Sequence, residues 1–436
     1  MPILVMHNMH WQEALQTMKV KAIIPAVFAL FSAHAFSIGF SGYTGVLGAY
    51  HSKLTAGEEK IDPELLTQSF FTGQFDITGR TFFRADMALA TSDILQHSVF
   101  ESTDAKFKLN ELSLTHLMHG TNGAIHALAA FMGTYDPIGS DVFLQRYLGA
   151  NPINSRLTDS WAGMNGSPIY SYGSIGASYI YRSAYPFAAG AYVYYDKESA
   201  SDDEDGDGKA INFDIRFACN FRYFTWDIEG GFNFEHEDEV GGEKVIFAVT
   251  TANIHAGTSI LLGNKSGTAL FLQGGFKKIS IDPDKDDDED SKFLDLKAED
   301  MYILGELRLG GKGRHFVFTA FNLPQSRIEE MAYIHDSLGA NIAIYSENFH
   351  CKNNDFVLGI NTMLSFDGKF VNDIKDLTKS STRDEFKESM NLFFSPFFET
   401  QVFNGILKIN AEINAMHFKY SDKALFHCSL GFKTRL

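Results

Sequence analysis

A two-residue alternation of apolar and polar side chains, sustained in long runs, limits what this chain can fold into more than any other feature. In residues 71–89 the odd positions read Phe71, Gly73, Phe75, Ile77, Gly79, Thr81, Phe83, Ala85, Met87 and Leu89. The even positions include Thr72, Gln74, Asp76, Thr78, Arg80, Arg84 and Asp86. Successive side chains of a strand point to opposite faces, so such a run has one apolar and one charged face. Residues 211–223 repeat it, with Ile211, Phe213, Ile215 and Phe217 against Asn212, Asp214, Arg216 and Arg222. From Phe224 the phase inverts: Trp226, Ile228, Phe232 and Phe234 stand against Asp227, Glu229 and Asn233. A phase flip across a tight turn is what a β-hairpin produces.

The same texture recurs, less perfectly, at 105–118, 123–135, 169–182, 186–196, 245–262, 267–280, 296–309, 315–323, 338–347, 355–368, 389–400, 404–418 and 424–436. These runs exceed the five or six residues usual in a soluble sandwich. Segments of about ten alternating residues separated by turns predict an all-β fold, a transmembrane antiparallel β-barrel whose closed sheet leaves no edge in lipid. Connections alternate as well. Short ones fall at 119–122, 183–185, 224, 263–266 and 310–314, and longer ones at 136–168, 197–210, 236–244, 281–295 and 324–337. With 70–90 as a single strand the count is sixteen, which is the preferred reading; residues 36–69 are then an N-terminal segment in the periplasm or a plug in the lumen. If 36–50 is a strand and 70–90 divides near Gly79, the count is eighteen.

Composition narrows the class further. Acids number 54 against 37 bases, a net charge of −17, which argues against a nucleic-acid partner. Three scattered cysteines exclude a disulfide scaffold or a cysteine-rich metal module. At the N-terminus, Met18-Lys19-Val20-Lys21 precedes the apolar stretch 22–31 and the small-x-small site Ala33-His34-Ala35. That order predicts a cleavable signal peptide over 1–35, with Met18 a candidate start, and export of the remainder. No cysteine near the site suggests lipid attachment.

The last predicted strand places Ala424, Phe426, Cys428, Leu430, Phe432, Thr434 and Leu436 on one face. Together with the signal peptide and the alternation over 70–436, this resembles the bacterial outer-membrane β-barrel superfamily, porin-like in size, and its phenylalanine-rich texture is similar to barrels from spirochaetes. The resemblance implies the outer membrane of a diderm bacterium, contact with its lipid and with the barrel-insertion machinery, small solutes as cargo, and a homo-oligomer as one possible assembly. Such barrels commonly end on an aromatic residue; this one ends on Leu436.

If the apolar face meets lipid, the inward set lining a pore includes Asp76, Arg80, Arg84, Asp86, Asp214, Arg216, Arg222, Asp227, Glu229, Glu306, Arg308, Lys408 and Glu412. Opposed charges there either orient solutes or only pair across strands. The connection 136–168 is long for a structureless loop. Ser140 can cap a helix over 141–148 that ends before Gly149, and Phe143/Tyr147 and Leu144/Leu148 give it an apolar side. Large porins often fold one loop inward, which implies a constriction here with Asp141, Arg146, Arg156 and Asp159 at the narrowing; an outer loop over the mouth is the other reading. Asp203, Asp205 and Asp207 precede Gly208 in a calcium-loop spacing, but Asp214 stands where such a loop has Glu, and a solvated acidic loop is the preferred reading. No other cofactor is indicated. With no H-E-x-x-H or G-x-S-x-G, an enzyme is not expected. The expected function is passive diffusion of small hydrophilic solutes. A hydrophobic-compound transporter of the fatty-acid type with an N-terminal plug, and a surface adhesin or structural barrel with acidic contact loops, are the alternatives.

Overall fold

A computed structural model describes residues 39–54, 61–91, 94–95, 105–137, 139–150, 152–158, 174–196, 209–240, 243–281, 294–295, 301–323, 338–351, 354–366, 389–416 and 424–436. The expected signal peptide, Asp159 and the acidic motif Asp203, Asp205 and Asp207 lie outside them. The described residues form one closed antiparallel sheet of eighteen long strands. In chain order these are β1 (Gly39–Leu54), β2 (Ile61–Thr78), β3 (Thr81–Thr91), β4 (Ala105–His119), β5 (Ile125–Gly133), β6 (Ser174–Arg182), β7 (Phe187–Asp196), β8 (Lys209–Asn220) and β9 (Phe224–Val240). They continue as β10 (Glu243–Gly263), β11 (Ala269–Ile281), β12 (Met301–Gly311), β13 (Arg314–Asn322), β14 (Leu338–Cys351), β15 (Asn354–Phe366), β16 (Asn391–Val402), β17 (Gly405–Asn414) and β18 (Ala424–Arg435). A two-residue strand, Leu294–Asp295, pairs with the end of β11. Each long strand pairs with the next, and β1 pairs with β18, from Tyr43 opposite Arg435 to Lys53 opposite Ala424.

The alternation decides which face turns inward. Phe213, Ile215 and Phe217 of β8 are exposed on the outside, while Asn212, Asp214 and Arg216 between them are buried. Leu114 of β4, Ile303 of β12 and Ile344 of β14 are likewise exposed, beside buried Ser113, Glu306 and Asn341. An apolar exterior around a polar interior is the inverse of a soluble sheet. Closure satisfies every ladder without a free edge, which a lipid environment demands. Among the described residues no helix is long and apolar enough to cross a membrane.

The preferred count of sixteen is corrected to eighteen. Thr78 and Thr81 pair across a two-residue turn, and a bulge between Asp76 and Thr78 shifts the register by one. Phe75 then faces Phe83, and Gly73 faces Ala85. The turn flips the phase and the bulge flips it back, so two strands read as one unbroken alternation. The preceding segment is wall: β1 pairs with β2 from Gly39–Asp76 to Leu54–Ile61. It is neither a periplasmic segment nor a plug. The predicted long connection 236–244 is also corrected, because β9 runs to Val240 and β10 starts at Glu243.

Two tight turns carry positive φ at both central residues, Lys312–Gly313 (55° and 72°) and Phe403–Asn404 (50° and 61°). That geometry matches the twist of the flanking strands. Both of these turns, and the start of β1, lie at one end of the barrel. The connection between β5 and β6 leaves from the other.

Candidate functional site

The β5–β6 connection turns into the barrel. Helix α1 (Val142–Leu148) packs beside β7 and β8, and Phe143, Leu144, Tyr147 and Ile153 are each at most 6% exposed. They join an apolar cluster with Phe271, Tyr302, Leu304 and Phe393 from the inner wall. Gly149, at φ 59°, ends the helix in the left-handed conformation. Asp141, not Ser140, occupies the N-cap position; the Ser140 hydroxyl, one residue earlier, donates to the Pro137 carbonyl and accepts the Val142 N–H at a long 3.4 Å. The Asp141 carboxylate caps nothing in the helix. It accepts the backbone N–H groups of Ile153 (2.5 Å) and Asn154 (2.9 Å), folding the returning segment against the helix.

On the near side, α1 is tied down by two arginines. Arg146 donates to both oxygens of Glu111 on β4 (2.8 Å each) and to Asp136 (2.8 Å), and its guanidinium lies 4.5 Å from the Tyr135 ring centroid. Burial alone would weaken this cation, but the Glu111 and Asp136 carboxylates outweigh it and hold Arg146 well above its ordinary pKa. Burial is also the largest influence on Asp136, pushing its carboxyl up against the opposing pull of Arg146 and Arg216. Tyr192 donates to Asp136 (3.1 Å). Arg216, 1% exposed, binds Asp227 twice (2.9 and 2.5 Å), Glu229 (2.9 Å) and the Asp136 carbonyl (2.5 Å), with its guanidinium 4.6 Å from the Phe143 ring centroid.

On the far side, the tip of the same segment reaches strands that each lie seven away from β5, in opposite directions around the barrel. Ser155 donates to Glu306 of β12, and Arg308 donates to the carbonyls of Ile153 (2.6 Å) and Asn154 (3.1 Å). Arg156 pairs with Glu399 of β16 and stacks over Tyr345 (4.6 Å) and Phe397 (5.1 Å). Residues 134–158 therefore strap across the lumen, held at both ends by charge-assisted bonds, the strong kind.

The residues singled out from sequence fall into three groups. Asp86, Asp214, Arg216, Asp227, Glu229, Glu306 and Glu412 are buried on the inner face, each at most 6% exposed. Asp76, Arg84, Arg308 and Lys408 are partly exposed there. Arg80 and Arg222 are corrected: both sit exposed in short turns, where the alternating pattern runs on past the strand end. The structure joins Arg216 to Asp227 and Glu229, Glu306 to Arg308, and Lys408 to Arg156 through Glu399. Asp214 instead meets Tyr194 (2.7 Å) and His255 (2.9 Å), and Asp86 meets Thr72 (2.8 Å) and Asn110 (3.0 Å). Sequence reasoning did not single out Glu111, Asp136, Tyr192, Tyr345, Phe397 or Glu399. One of these carried a usable signal: the positive-φ turn at 403–404 sets Glu399 directly opposite Lys408.

No family model matches the chain, and no curated protein matches it. Among solved structures, OprB of Pseudomonas putida at high pH is similar over 91% of this chain and 94% of its own, at 9% identity and TM-score 0.40. A mutant of the Rh. blastica porin is similar over 92% and 100%, at 8% identity and TM-score 0.38. The Salmonella typhi OmpF complex with daunomycin is similar over 92% and 97%, at 9% identity and TM-score 0.40. Likeness this remote leaves the chain's own closed eighteen-stranded barrel as the ground for any functional reading.

Proposed function

We propose that the chain is an outer-membrane channel for passive diffusion of small hydrophilic solutes, narrowed from within by residues 134–158. One observation carries this reading: an apolar exterior encloses a charged interior that an inward segment crosses, anchored on both sides. Eighteen strands enclose a lumen wider than side chains alone can fill, as in the aqueous channels of barrels this size. Charges set on both the wall and the crossing segment give solutes a field to pass through. Arg84, Asp86, Glu306, Arg308 and Lys408 from the wall, with Arg146 and Arg156 from the segment, are the pore-side charges in this reading. No bond-making step and no cofactor belong to it. Surrounding lipid, the barrel-insertion machinery and a homo-oligomeric assembly are its implied partners.

The hydrophobic-transporter reading loses its plug, since residues 39–54 are wall. The apolar part of the lumen is moreover occupied by α1's own side chains. The test is planar-bilayer conductance of the refolded chain, with liposome swelling in sugars of graded size. Stable ohmic steps and sugar entry are the expected result. Folded, heat-modifiable protein that neither conducts nor admits sugars would overturn the channel reading.

A further inference from the structure

Along the described inner wall, most carboxylates are buried while several cations reach the lumen. The chain carries −17, yet the inward carboxylates of the described wall are mostly buried and engaged. Asp214, Asp227, Glu229, Glu306 and Glu412 are each at most 6% exposed. Four inward cations are accessible, with side-chain exposure 41% for Arg156, 28% for Lys408, 21% for Arg84 and 16% for Arg308, beside the partly exposed carboxylates of Glu399 (17%) and Asp76.

Two of these cations meet in one corner. Arg156 at the tip of the crossing segment and Lys408 on β17 both reach Glu399 Oε1, Lys408 at 3.7 Å. The two cations thus converge on the same carboxylate oxygen. The Arg156 guanidinium is held flat against Tyr345 and Phe397, so its planar fork is pre-organised as oxyanion recognition requires. Tyr345 is braced from behind by the stacked ring of His315, 4.6 Å between centroids. Asn410 adds a second kind of observation. It lies two residues along the same inward face from Lys408 and opposite Phe397, and it is 2% exposed. Both its amide oxygen and its amide nitrogen lack a hydrogen-bond partner. A buried amide with neither atom satisfied is costly unless something polar meets it.

We propose that Arg156, Lys408 and Asn410 form a binding subsite for the oxyanion of a small solute, a carboxylate or phosphate group, on the wall of the lumen. The inference rests on the channel reading and names the class of solute the channel favours. Arg156 supplies the planar fork, Lys408 a point charge, Asn410 an amide donor, and Glu399 is the internal competitor that keeps the site reversible. The aromatic shelf fixes the arginine without consuming its charge.

Calorimetry with inorganic phosphate on the folded full chain in detergent tests the subsite, and bilayer recording tests the channel independently. Saturable phosphate binding is expected, weakened at least tenfold in Arg156→Gln and in Lys408→Gln and tightened in Glu399→Gln. In bilayers, millimolar phosphate reduces the chloride current, and the reversal potential in a KCl gradient shifts away from the chloride value in both cation variants. Lys408→Gln leaves the stacked arginine in place, so it decides the matter if Arg156→Gln disturbs the segment. No phosphate binding, or binding that Lys408→Gln leaves unchanged, overturns the subsite even when the barrel conducts. Phosphate binding without conductance keeps the subsite and overturns the channel.

Discussion

Replacing Arg146 with alanine tests whether charge-assisted bonds or apolar packing hold the crossing segment in place. The side chain is 8% exposed and makes three hydrogen bonds of 2.8 Å to two carboxylates that are themselves inaccessible. Removing one partner of a buried ion pair costs about 3–5 kcal/mol, chiefly because a charge is left uncompensated. The low end applies here. Glu111 keeps Ser113 (2.6 Å) and a distant Arg84 (3.5 Å), and Asp136 keeps Tyr192. A loss of about 3 kcal/mol raises the open population of the segment by roughly two powers of ten. Phe143, Leu144, Tyr147 and Ile153 remain buried, at about 1.5–3 kcal/mol each, so the segment still sits inside most of the time. The readout is hydrogen exchange of the α1 amides, including Gly149 N–H, which donates to Gln145, and Ala150 N–H, which donates to Leu144. Exchange over 142–150 is expected to quicken about a hundredfold while the β8 and β12 amides stay unchanged. Adding Glu111→Gln should restore part of the protection by removing the stranded charge. Less than a threefold change in Arg146→Ala would refute the reasoning and assign the anchoring to apolar packing alone.

Three further outcomes follow from other contacts. Asp141→Ala strips the acceptor from the Ile153 and Asn154 N–H groups and should cost about 2–4 kcal/mol of local stability, read as faster exchange at 153–154 with the rest of α1 less affected. Gly231→Ala should impair barrel formation, seen as loss of heat-modifiable gel migration, because a Cβ there would overlap Asp214 Oδ1 and the Phe213 carbonyl of β8. Acidification should favour the docked segment through Asp136: its carboxyl is raised above the ordinary 3.8, so this contribution is full below 3.8 and is lost as pH rises through the raised value. Protection over 142–150, normalised for intrinsic exchange, should therefore fall from acid to neutral pH in the native chain relative to Asp136→Asn, and equal slopes in the two would contradict it.

Fold class was legible because a barrel writes its two environments directly into the sequence, one residue to each. All thirteen of the less perfect alternating runs overlap a strand of the barrel. Strand count was harder because parity is a local bookkeeping that one bulge can cancel. At β8–β9, Asn220 pairs with Thr225 without a bulge, and the phase flip was visible. At β2–β3 the bulge beside Ile77 restored the phase and hid the turn. The polar run at 236–244 misled for another reason: strands extend beyond the apolar belt, and there both faces are hydrophilic. Within the site, Arg146 and Asp141 drew attention through the length of the connection and the helix signals around them. Glu111 and Asp136 did not, since an isolated acid in a strand or loop end has no mark of what it will meet. The distance between Arg156 and Glu399 spans 243 residues of sequence and is set only by closure of the sheet.

That closure has a kinetic side. β1 cannot complete its hydrogen bonds until β18 exists, and the Leu436 N–H donates back to the Gly42 carbonyl at the same seam. Nearly the whole chain must therefore be threaded before its first strand finds its second neighbour, and until then the growing sheet has two raw margins able to recruit other chains. Assembly of this molecule is less a collapse than the fastening of a zip whose two sides are made at opposite ends of synthesis. Its slowest and most aggregation-exposed moment should be the joining of residues 43–53 to 424–435.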